Sequence, residues 1–294
     1  MTGSDATFGA RLRTARLARG PLCVGIDPHP GLLREWDLPD DADGLARFAG
    51  TVVDALGEQT AVLKPQSAFF ERHGARGIAV LEQTVRSARA AGALVLLDVK
   101  RGDIGSTAAA YADAYLDPSA PLASDAVTVH PYLGFGSLRP FLTTARTHGA
   151  GVFVVALSSN PEGATVQRAR VVREDVGGGS LSTTVAEEVL ASVRAENADD
   201  PGGPGSVGCV VGATVEPARL DLGREDLDVG GPLLVPGLGR QGGTPDGIRR
   251  AFAGVEDHVW PSASRSVLRA GPDPRDLQAA ALRHRDDIAT ALGG

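Results

Sequence analysis

The sequence predicts an α/β fold of the (β/α)8 TIM-barrel type, formed by a single domain over residues 1–294. Three observations favour it: the length of 294 residues suits one barrel, short apolar runs alternate with helix-like segments, and eight such runs occur. The runs are nearly continuous in Val, Leu and Ile, which is typical of parallel strands covered by helices. An open, doubly wound sheet is the alternative arrangement of the same elements.

The sequence predicts a helix before the barrel, an insertion within it, and the strands and helices of the barrel itself. A segment at about residues 7–19 has apolar residues at helical spacing and predicts an amphipathic helix before the first strand. The long segment at about residues 160–182, after strand five, predicts an insertion that acts as a mobile lid over the site. The predicted strands are Leu22–Asp27, Ala61–Lys64, Leu94–Lys100, Ala126–His130, Gly151–Leu157, Val207–Thr214, Pro232–Pro236 and His258–Pro261. The clearest predicted helices are Leu45–Leu56, Ile78–Ala90, Leu138–His148 and Thr183–Asn197.

Composition narrows the range of partners. The formal net charge of -7 argues against a nucleic acid or an anionic membrane surface as partner. No apolar run approaches the roughly 18 residues that a membrane span needs, and the amino terminus lacks the apolar core of a secretory signal. Cys23 and Cys209 stand within apolar runs, which indicates buried reduced thiols. We therefore expect a cytoplasmic protein.

Polar residues stand at the ends of the first three predicted strands, where α/β barrels carry their active sites. These residues are Asp27, Lys64 and the pair Asp98 and Lys100. Residues at i and i+2 of a strand face the same side, so Asp98 and Lys100 should point together into the barrel mouth, with Asp103 just beyond. Alternating Lys and Asp charges keep one another ionised when they are buried. A structural ion-pair network would give the same spacing, so the pattern alone leaves both interpretations open.

The scarcity of lysine is a second indication of catalytic residues. Lys64 and Lys100 are the only lysines among 29 basic residues. Arginine cannot give up its proton at working pH, whereas lysine can. The two lysines therefore indicate positions at which proton transfer matters.

Glycine-rich segments follow predicted strands seven and eight, where barrels commonly bind phosphate. Backbone N–H groups beside glycines can approach an anion closely, although glycine clusters also simply turn corners. Arg265 can hold a phosphate through two hydrogen bonds, with Arg240 as the alternative phosphate arginine. The other predicted phosphate-binding residues are Gly237, Gly239 and Gln241.

Several motifs together resemble one known family. Asp98-x-Lys100-x-x-Asp103 resembles the signature of the orotidine monophosphate decarboxylase suprafamily. The resemblance runs from about residue 8 to residue 270, with the motifs in the family's order. The segments that look like the longer bacterial form of the family are Gly25–Pro28, Leu63–Pro65, Asp98–Thr107, Ser159–Gly163 and Pro236–Gly243.

The resemblance implies conversion of orotidine 5'-monophosphate to uridine 5'-monophosphate and carbon dioxide, the last step of de novo UMP biosynthesis, without a metal or any other cofactor. It implies that Lys100 protonates C6 and that Asp98 lies against the departing carboxylate. It also implies a homodimer in which each subunit completes its partner's site. The remaining implied roles are Lys64 and Asp27 on the ribose hydroxyls, Asp103 and Thr107 in the partner's site, Ser159 on the pyrimidine ring, and Gln241 and Arg265 on the phosphate.

Two other hypotheses compete with this one. A metal-dependent hexulose-phosphate synthase-like aldolase of the same suprafamily resembles the chain at Asp-x-Lys-x-x-Asp, but it needs an acidic metal ligand where Lys64 stands. A non-catalytic nucleotide-binding barrel would keep the pocket without the chemistry, and the intact set of Lys64, Asp98, Lys100 and Asp103 argues against it.

Overall fold

Eight parallel strands close into a barrel in the computed structural model, which describes residues 6–174, 180–199, 203–215, 222–239 and 242–293. The strands are β1 (Cys23–Ile26), β2 (Val62–Pro65), β3 (Leu94–Arg101), β4 (Ala126–Val129), β5 (Gly151–Leu157), β6 (Arg170–Glu174), β7 (Ser180–Thr184), β8 (Val207–Val211), β9 (Leu233–Pro236) and β10 (Val259–Ala263). The order around the ring is β1-β10-β9-β8-β5-β4-β3-β2, while β6 and β7 pair separately. The closed ring confirms the predicted barrel and excludes the open sheet.

Helices surround this ring. They are α1 (Phe8–Arg19), α2 (Pro30–Glu35), α3 (Ala42–Leu56), α4 (Ala68–Glu71), α5 (Gly74–Ala90), α6 (Gly105–Leu116), α7 (Arg139–His148), α8 (Ala164–Gln167), α9 (Val185–Ala198), α10 (Arg224–Leu227), α11 (Pro245–Ala251), α12 (Arg265–Leu268) and α13 (Pro274–Leu292). None of these helices, within the described part of the chain, is long and apolar enough to cross a membrane.

Helix α1 closes the amino-terminal end of the barrel. Thr7 caps it by accepting a hydrogen bond from the Ala10 N–H. Its buried residues Phe8 and Leu12 belong to the core cluster inside the barrel, and Phe8 meets Phe153 of β5 edge to face, with ring centroids 6.0 Å apart. The opposite end of the barrel, at the carboxyl ends of the strands, is therefore the end left for a site.

A second, larger core fills the space between the strands and the outer helices. It takes the outward-facing strand residues and the apolar faces of the helices, for example Phe48 on α3 and Leu81 on α5. Helix α13 packs against α3, α11 and α12 and buries Leu277 and Ile288. The carboxyl-terminal segment thus completes the helical layer of the barrel.

The insertion after β5 contains an antiparallel hairpin. Strands β6 and β7 pair from Arg170 with Thr184 to Glu174 with Ser180, and α8 precedes them. Thr183, predicted as the first residue of a helix, lies in β7 instead. Helix α9 begins at Val185, because Thr184 and Glu187 form a capping box there.

Candidate active site

The inward-facing residues of the barrel change from apolar to polar toward the carboxyl ends of the strands. Alternate residues of a strand face the same side. The residue two positions after an apolar core residue therefore also points into the barrel, one layer nearer the carboxyl ends of the strands, which we call the upper layer. On three neighbouring strands this upper residue is buried and polar or charged. The successive residues are Val62 and Lys64 on β2, Leu96 and Asp98 on β3, and Ala126 and Thr128 on β4.

Asp98 lies between two ammonium groups. Lys64 Nζ lies 2.9 Å from Asp98 Oδ2, and Lys100 Nζ lies 2.5 Å from Asp98 Oδ1. Asp98 and Lys64 are 6% and 7% exposed, whereas the Lys100 side chain is half exposed at 49%. Lys100 thus presents the more accessible ammonium group of the array.

The charges of the array support one another's ionised state. Burial alone would raise the pKa of Asp98, but the ammonium groups of Lys64 and Lys100 outweigh it and hold that pKa well below its usual range. Burial would likewise lower the pKa of Lys64, but the carboxylates of Asp98 and Asp27 raise it above its usual value. Asp98 and Lys64 therefore form a charged pair at neutral pH.

The array lines a cavity of about 360 Å³ at the carboxyl ends of the strands. That volume is within the range of small-molecule sites. Phe69 and Val155 add apolar surface to the polar lining. The cavity brings together seven residues that the sequence marks as site residues: Asp27, Lys64, Asp98, Lys100, Ser159, Gly237 and Arg265.

Several polar groups of this cavity are buried but lack a protein partner. Asp27 Oδ1, Ser264 Oγ and Ser266 Oγ have no hydrogen-bond partner among the described residues. Arg265, which lies between the two serines in sequence, is half-buried and also lines the cavity. Buried polar groups are normally satisfied, so these groups indicate where a ligand would bind. Three hydrogen-bond donors beside one another suit an anion.

The predicted phosphate loop lies beside this donor cluster. Gly237 lines the cavity, and Gly239 is exposed next to Ser266 rather than in the cavity wall. Their φ angles of 110° and 83° lie where residues with a side chain are rarely found, which accounts for glycine at both positions. Arg240 and Gln241, both named as phosphate residues from the sequence, lie outside the described residues.

Asp103 and Thr107 lie apart from the cavity. Asp103 accepts a hydrogen bond of 2.8 Å from the Ile104 N–H, just before α6, and Thr107 is exposed in the first turn of that helix. Neither residue lines the cavity of its own chain. The structure therefore does not bring these two predicted site residues together with the array.

The backbone conformation that brings Asp98 and Lys100 together differs from the predicted regular strand. Regular strand alternation would place them side by side, but the register between β3 and β4 shifts between Leu97 and Arg101. Lys100 itself has a φ of 44°, in the left-handed region. A β-bulge therefore brings the Lys100 ammonium group to Asp98.

Two supporting groups of the array were not predicted from the sequence. Thr128 Oγ1 donates a hydrogen bond of 2.8 Å to Asp98 Oδ1, and its one signal was a polar residue within an apolar strand. Glu71 accepts hydrogen bonds from Ser67 Oγ at 2.5 Å and from Arg101 Nη2 at 2.6 Å, which ties the segment after β2 to the end of β3. The contacts of Thr128 with Asp98 and of Glu71 with Arg101 each join residues 30 positions apart, so their partners cannot be read from a local pattern.

A closed α/β barrel with a charged array and unpaired polar groups at the carboxyl ends of its strands is the arrangement of a barrel enzyme. The family model described as "Orotidine 5'-phosphate decarboxylase / HUMPS family" matches residues 20–280. The chain therefore belongs to this family.

Curated relatives match over nearly the full length. An orotidine 5'-phosphate decarboxylase of Salinispora arenicola is 58% identical over 98% of this chain and 99% of its own. One of Streptomyces coelicolor is 57% identical over 97% and 98%. A crystal structure of a Streptomyces avermitilis protein, 55% identical, covers 99% of this chain and 98% of its own with a TM-score of 0.91. The OMP decarboxylase structure of Leishmania donovani, 29% identical, covers 98% and 100% with a TM-score of 0.76.

Proposed function

We infer that this chain is a carbon–carbon lyase that converts orotidine 5'-monophosphate to uridine 5'-monophosphate and carbon dioxide, in pyrimidine biosynthesis. The observation that carries this conclusion is the Lys64–Asp98–Lys100 array, which shares one cavity with a cluster of unpaired anion donors. The near-full-length relatives named for this activity support it. The two free, buried cysteines agree with a cytoplasmic location.

The proposed mechanism is a direct decarboxylation. The bond between C6 and its carboxylate breaks, carbon dioxide leaves, and the electron pair stays on C6. Lys100 stabilises this charge and then donates a proton from Nζ to C6, regaining a proton from solvent afterwards. Asp98 lies against the substrate carboxylate, so loss of carbon dioxide removes the repulsion between two negative groups.

The remaining residues hold the nucleotide. Asp27 Oδ1 is a buried acceptor without a partner among the described residues, which suits a ribose hydroxyl, and Lys64 lies close enough to share that role. Ser159 contacts the pyrimidine ring in this proposal. Phosphate binds to Arg265, to the two serines beside it and to the loop that carries Gly237, with Gln241 assigned from the sequence. Binding energy from this remote phosphate orients C6 toward Lys100.

The aldolase alternative fits the array less well. Both oxygens of Asp98 already accept hydrogen bonds from ammonium groups, those of Lys64 and Lys100. A divalent ion on Asp98 would face two fixed positive charges at close range. The same charges support the decarboxylation, because they suit a negatively charged carbon.

Product analysis tests the activity. The purified chain is incubated with orotidine 5'-monophosphate in excess chelator, and the products are separated by chromatography. We expect complete conversion to uridine 5'-monophosphate. No conversion by folded protein, together with Mg²⁺-dependent cleavage of a hexulose phosphate, would instead establish the aldolase.

Replacing Arg265 by alanine should weaken phosphate binding. A charged hydrogen bond contributes about 1.5–3 kcal/mol, so we expect KM and the dissociation constant of uridine 5'-monophosphate to rise roughly 10- to 100-fold. Arg269→Ala is the matched control, because Arg269 pairs with Glu35 on the outside of the barrel. Unchanged affinity in R265A, with loss of affinity in Arg240→Ala, would move the phosphate role to Arg240.

We further propose that the enzyme is a homodimer whose subunits exchange Asp103 and Thr107. Large apolar side chains are exposed after strands β3 and β4, at the end of the barrel that also carries Asp103 and Thr107. Ile104 is 62% exposed, Tyr132 74% and Leu133 50%. Exposed apolar side chains near one another mark an interaction site, and a second copy is the partner that an isologous interface requires. Such a contact would carry Asp103 and Thr107 to the partner's cavity.

Mixed dimers test this arrangement. Lys100→Ala and Asp103→Ala are each expected to inactivate the enzyme, and co-expression in equal amounts should restore activity. Half of the dimers are then mixed and one of their two sites is intact, so about one quarter of the wild-type activity is expected. If the mixture stays as inactive as either variant alone, Asp103 acts within its own chain.

A further inference from the structure

The bulge at the end of β3 has an unusual partner on β4. Leu97 pairs with Val127 and Arg101 pairs with Val129, so three residues of β3 stand opposite one residue of β4, which is Thr128. In a regular ladder the N–H groups of such residues would meet backbone carbonyls. Here the backbone of β4 is too short to satisfy them, and the bulged segment needs another acceptor.

The side chain of Thr128 supplies that acceptor. Its Oγ1 accepts hydrogen bonds from the N–H of Val99 at 3.1 Å and from the N–H of Lys100 at 3.0 Å. The same hydroxyl donates to Asp98 Oδ1 at 2.8 Å. A hydroxyl has one donor and two acceptor sites, so all three are used. Thr128 is 1% exposed, which leaves water little access to replace these bonds.

The three contacts connect the two reacting groups of the proposed mechanism. One hydrogen bond fixes the carboxylate of Asp98 on the oxygen that also contacts Lys100 Nζ. The other two hold the peptide groups on either side of Val99, next to Lys100 with its φ of 44°. Non-glycine residues keep such a conformation only when their surroundings impose it.

We propose that Thr128 is a positioning residue for the decarboxylation: its hydroxyl maintains the bulge and thereby sets the Lys100 ammonium group and the Asp98 carboxylate for proton transfer. This proposal rests on the function proposed above and adds to it a residue that touches neither the ring nor the phosphate. Because Thr128 acts through Lys100 and Asp98, its loss should change the chemical step far more than substrate binding.

The test compares Thr128→Val with Thr128→Ser. Valine has the shape of threonine but loses all three hydrogen bonds, whereas serine keeps the hydroxyl. In T128V we expect kcat to fall about 100-fold, a loss typical of one displaced catalytic group, with KM and product affinity within about threefold of wild type. T128S should keep kcat within about fivefold of wild type, because its hydroxyl can make the same bonds.

Thr84→Val is the matched control. Thr84 is also buried, and its hydroxyl donates to the Val80 carbonyl on α5, away from the cavity. Its replacement should leave kcat unchanged. If T128V does not fold, Thr128→Cys takes its place, since a thiol is close in size but a poor hydrogen-bonding group.

A crystal structure of T128V separates the failure of this proposal from failure of the proposed function. We expect the Lys100 φ to leave the left-handed region and Nζ to move away from Asp98, whether or not the wild type decarboxylates the substrate. Wild-type kcat in T128V, equal losses in T128S and T128V, or an unchanged Lys100 in the variant structure would overturn the role of Thr128.

Discussion

Replacing Lys100 by alanine is expected to lower kcat/KM for orotidine 5'-monophosphate by at least about 10⁴-fold. The substitution removes the proton donor, an effect of about 10²–10⁴, and also the positive charge beside C6, an effect of about 10²–10³. Stability should change little, because the Lys100 side chain is half exposed and Lys64 still neutralises Asp98. Steady-state kinetics and thermal unfolding of the same preparation measure both quantities.

Lys100→Arg is the informative comparison. Arginine retains the charge but cannot release a proton at working pH. We therefore expect K100R to remain severely impaired, although it still binds the product. Activity within tenfold of wild type in K100R would show that position 100 supplies charge alone, and activity of that size in K100A would remove Lys100 from the mechanism.

The second large effect is expected from Asp98→Asn, which should lower both activity and stability. Lys64 is buried, so the substitution leaves an ammonium group without its nearest counter-charge. Breaking a buried ion pair in this way typically costs about 3–5 kcal/mol in the free energy of unfolding. Urea denaturation at neutral pH measures it. Asp43→Asn is the control, since its ion pair with Arg76 is exposed and should contribute under about 1 kcal/mol.

The directions in which the pKa values of Asp98 and Lys64 are shifted define how stability depends on pH. The folded-state pKa of Asp98 is depressed, so its contribution to stability is present above the ordinary carboxyl pKa and is lost as pH falls toward the depressed value. The pKa of Lys64 is raised, so its contribution is present below the ordinary lysine pKa and is lost as pH rises through the raised value. The stability difference between wild type and D98N should therefore shrink below about pH 4. A difference that grows with acidification would contradict this assignment.

Much of the fold follows from short-range patterns. All eight barrel strands occur where apolar runs predict them, because a buried parallel strand needs apolar residues on both faces. Helix ends were less well predicted. Helix α3 begins at Ala42 rather than Leu45, since Asp41 caps it by accepting hydrogen bonds from the N–H groups of Asp43 and Gly44, before the apolar pattern starts.

Two other elements also differ from their prediction. Strand β10 continues to Ala263, two residues beyond its predicted end, because Ser262 is buried and pairs with Pro236 of β9 and Cys23 of β1. A serine in that position resembles the start of a loop when only its neighbours in sequence are considered. The hairpin of β6 and β7 was predicted only as an insertion, since Arg170 and Ser182, like most of its described residues, are polar and carry no core-facing alternation.

The candidate site likewise contains some residues that the sequence predicts and some contacts that only the fold reveals. Asp98 and Lys100 were predicted from spacing, and the roles assigned to these residues follow from the resemblance. The bulge that joins them, the hydroxyl of Thr128 and the contact of Glu71 with Arg101 depend on strand pairing across the barrel. A one-dimensional pattern contains no information on which residue of β4 stands opposite the bulge.

In the proposed complex, one cavity holds the nucleotide with C6 beside Lys100 and the phosphate beside Arg265. A crystal structure of the chain with uridine 5'-monophosphate measures this directly. We predict that C6 lies within about 3.5 Å of Lys100 Nζ, the separation of a near-attack geometry. The phosphate should contact Arg265, Ser264 and Ser266 in the same structure. A phosphate bound elsewhere, or a ring whose C6 points away from Lys100, would contradict the proposed mechanism.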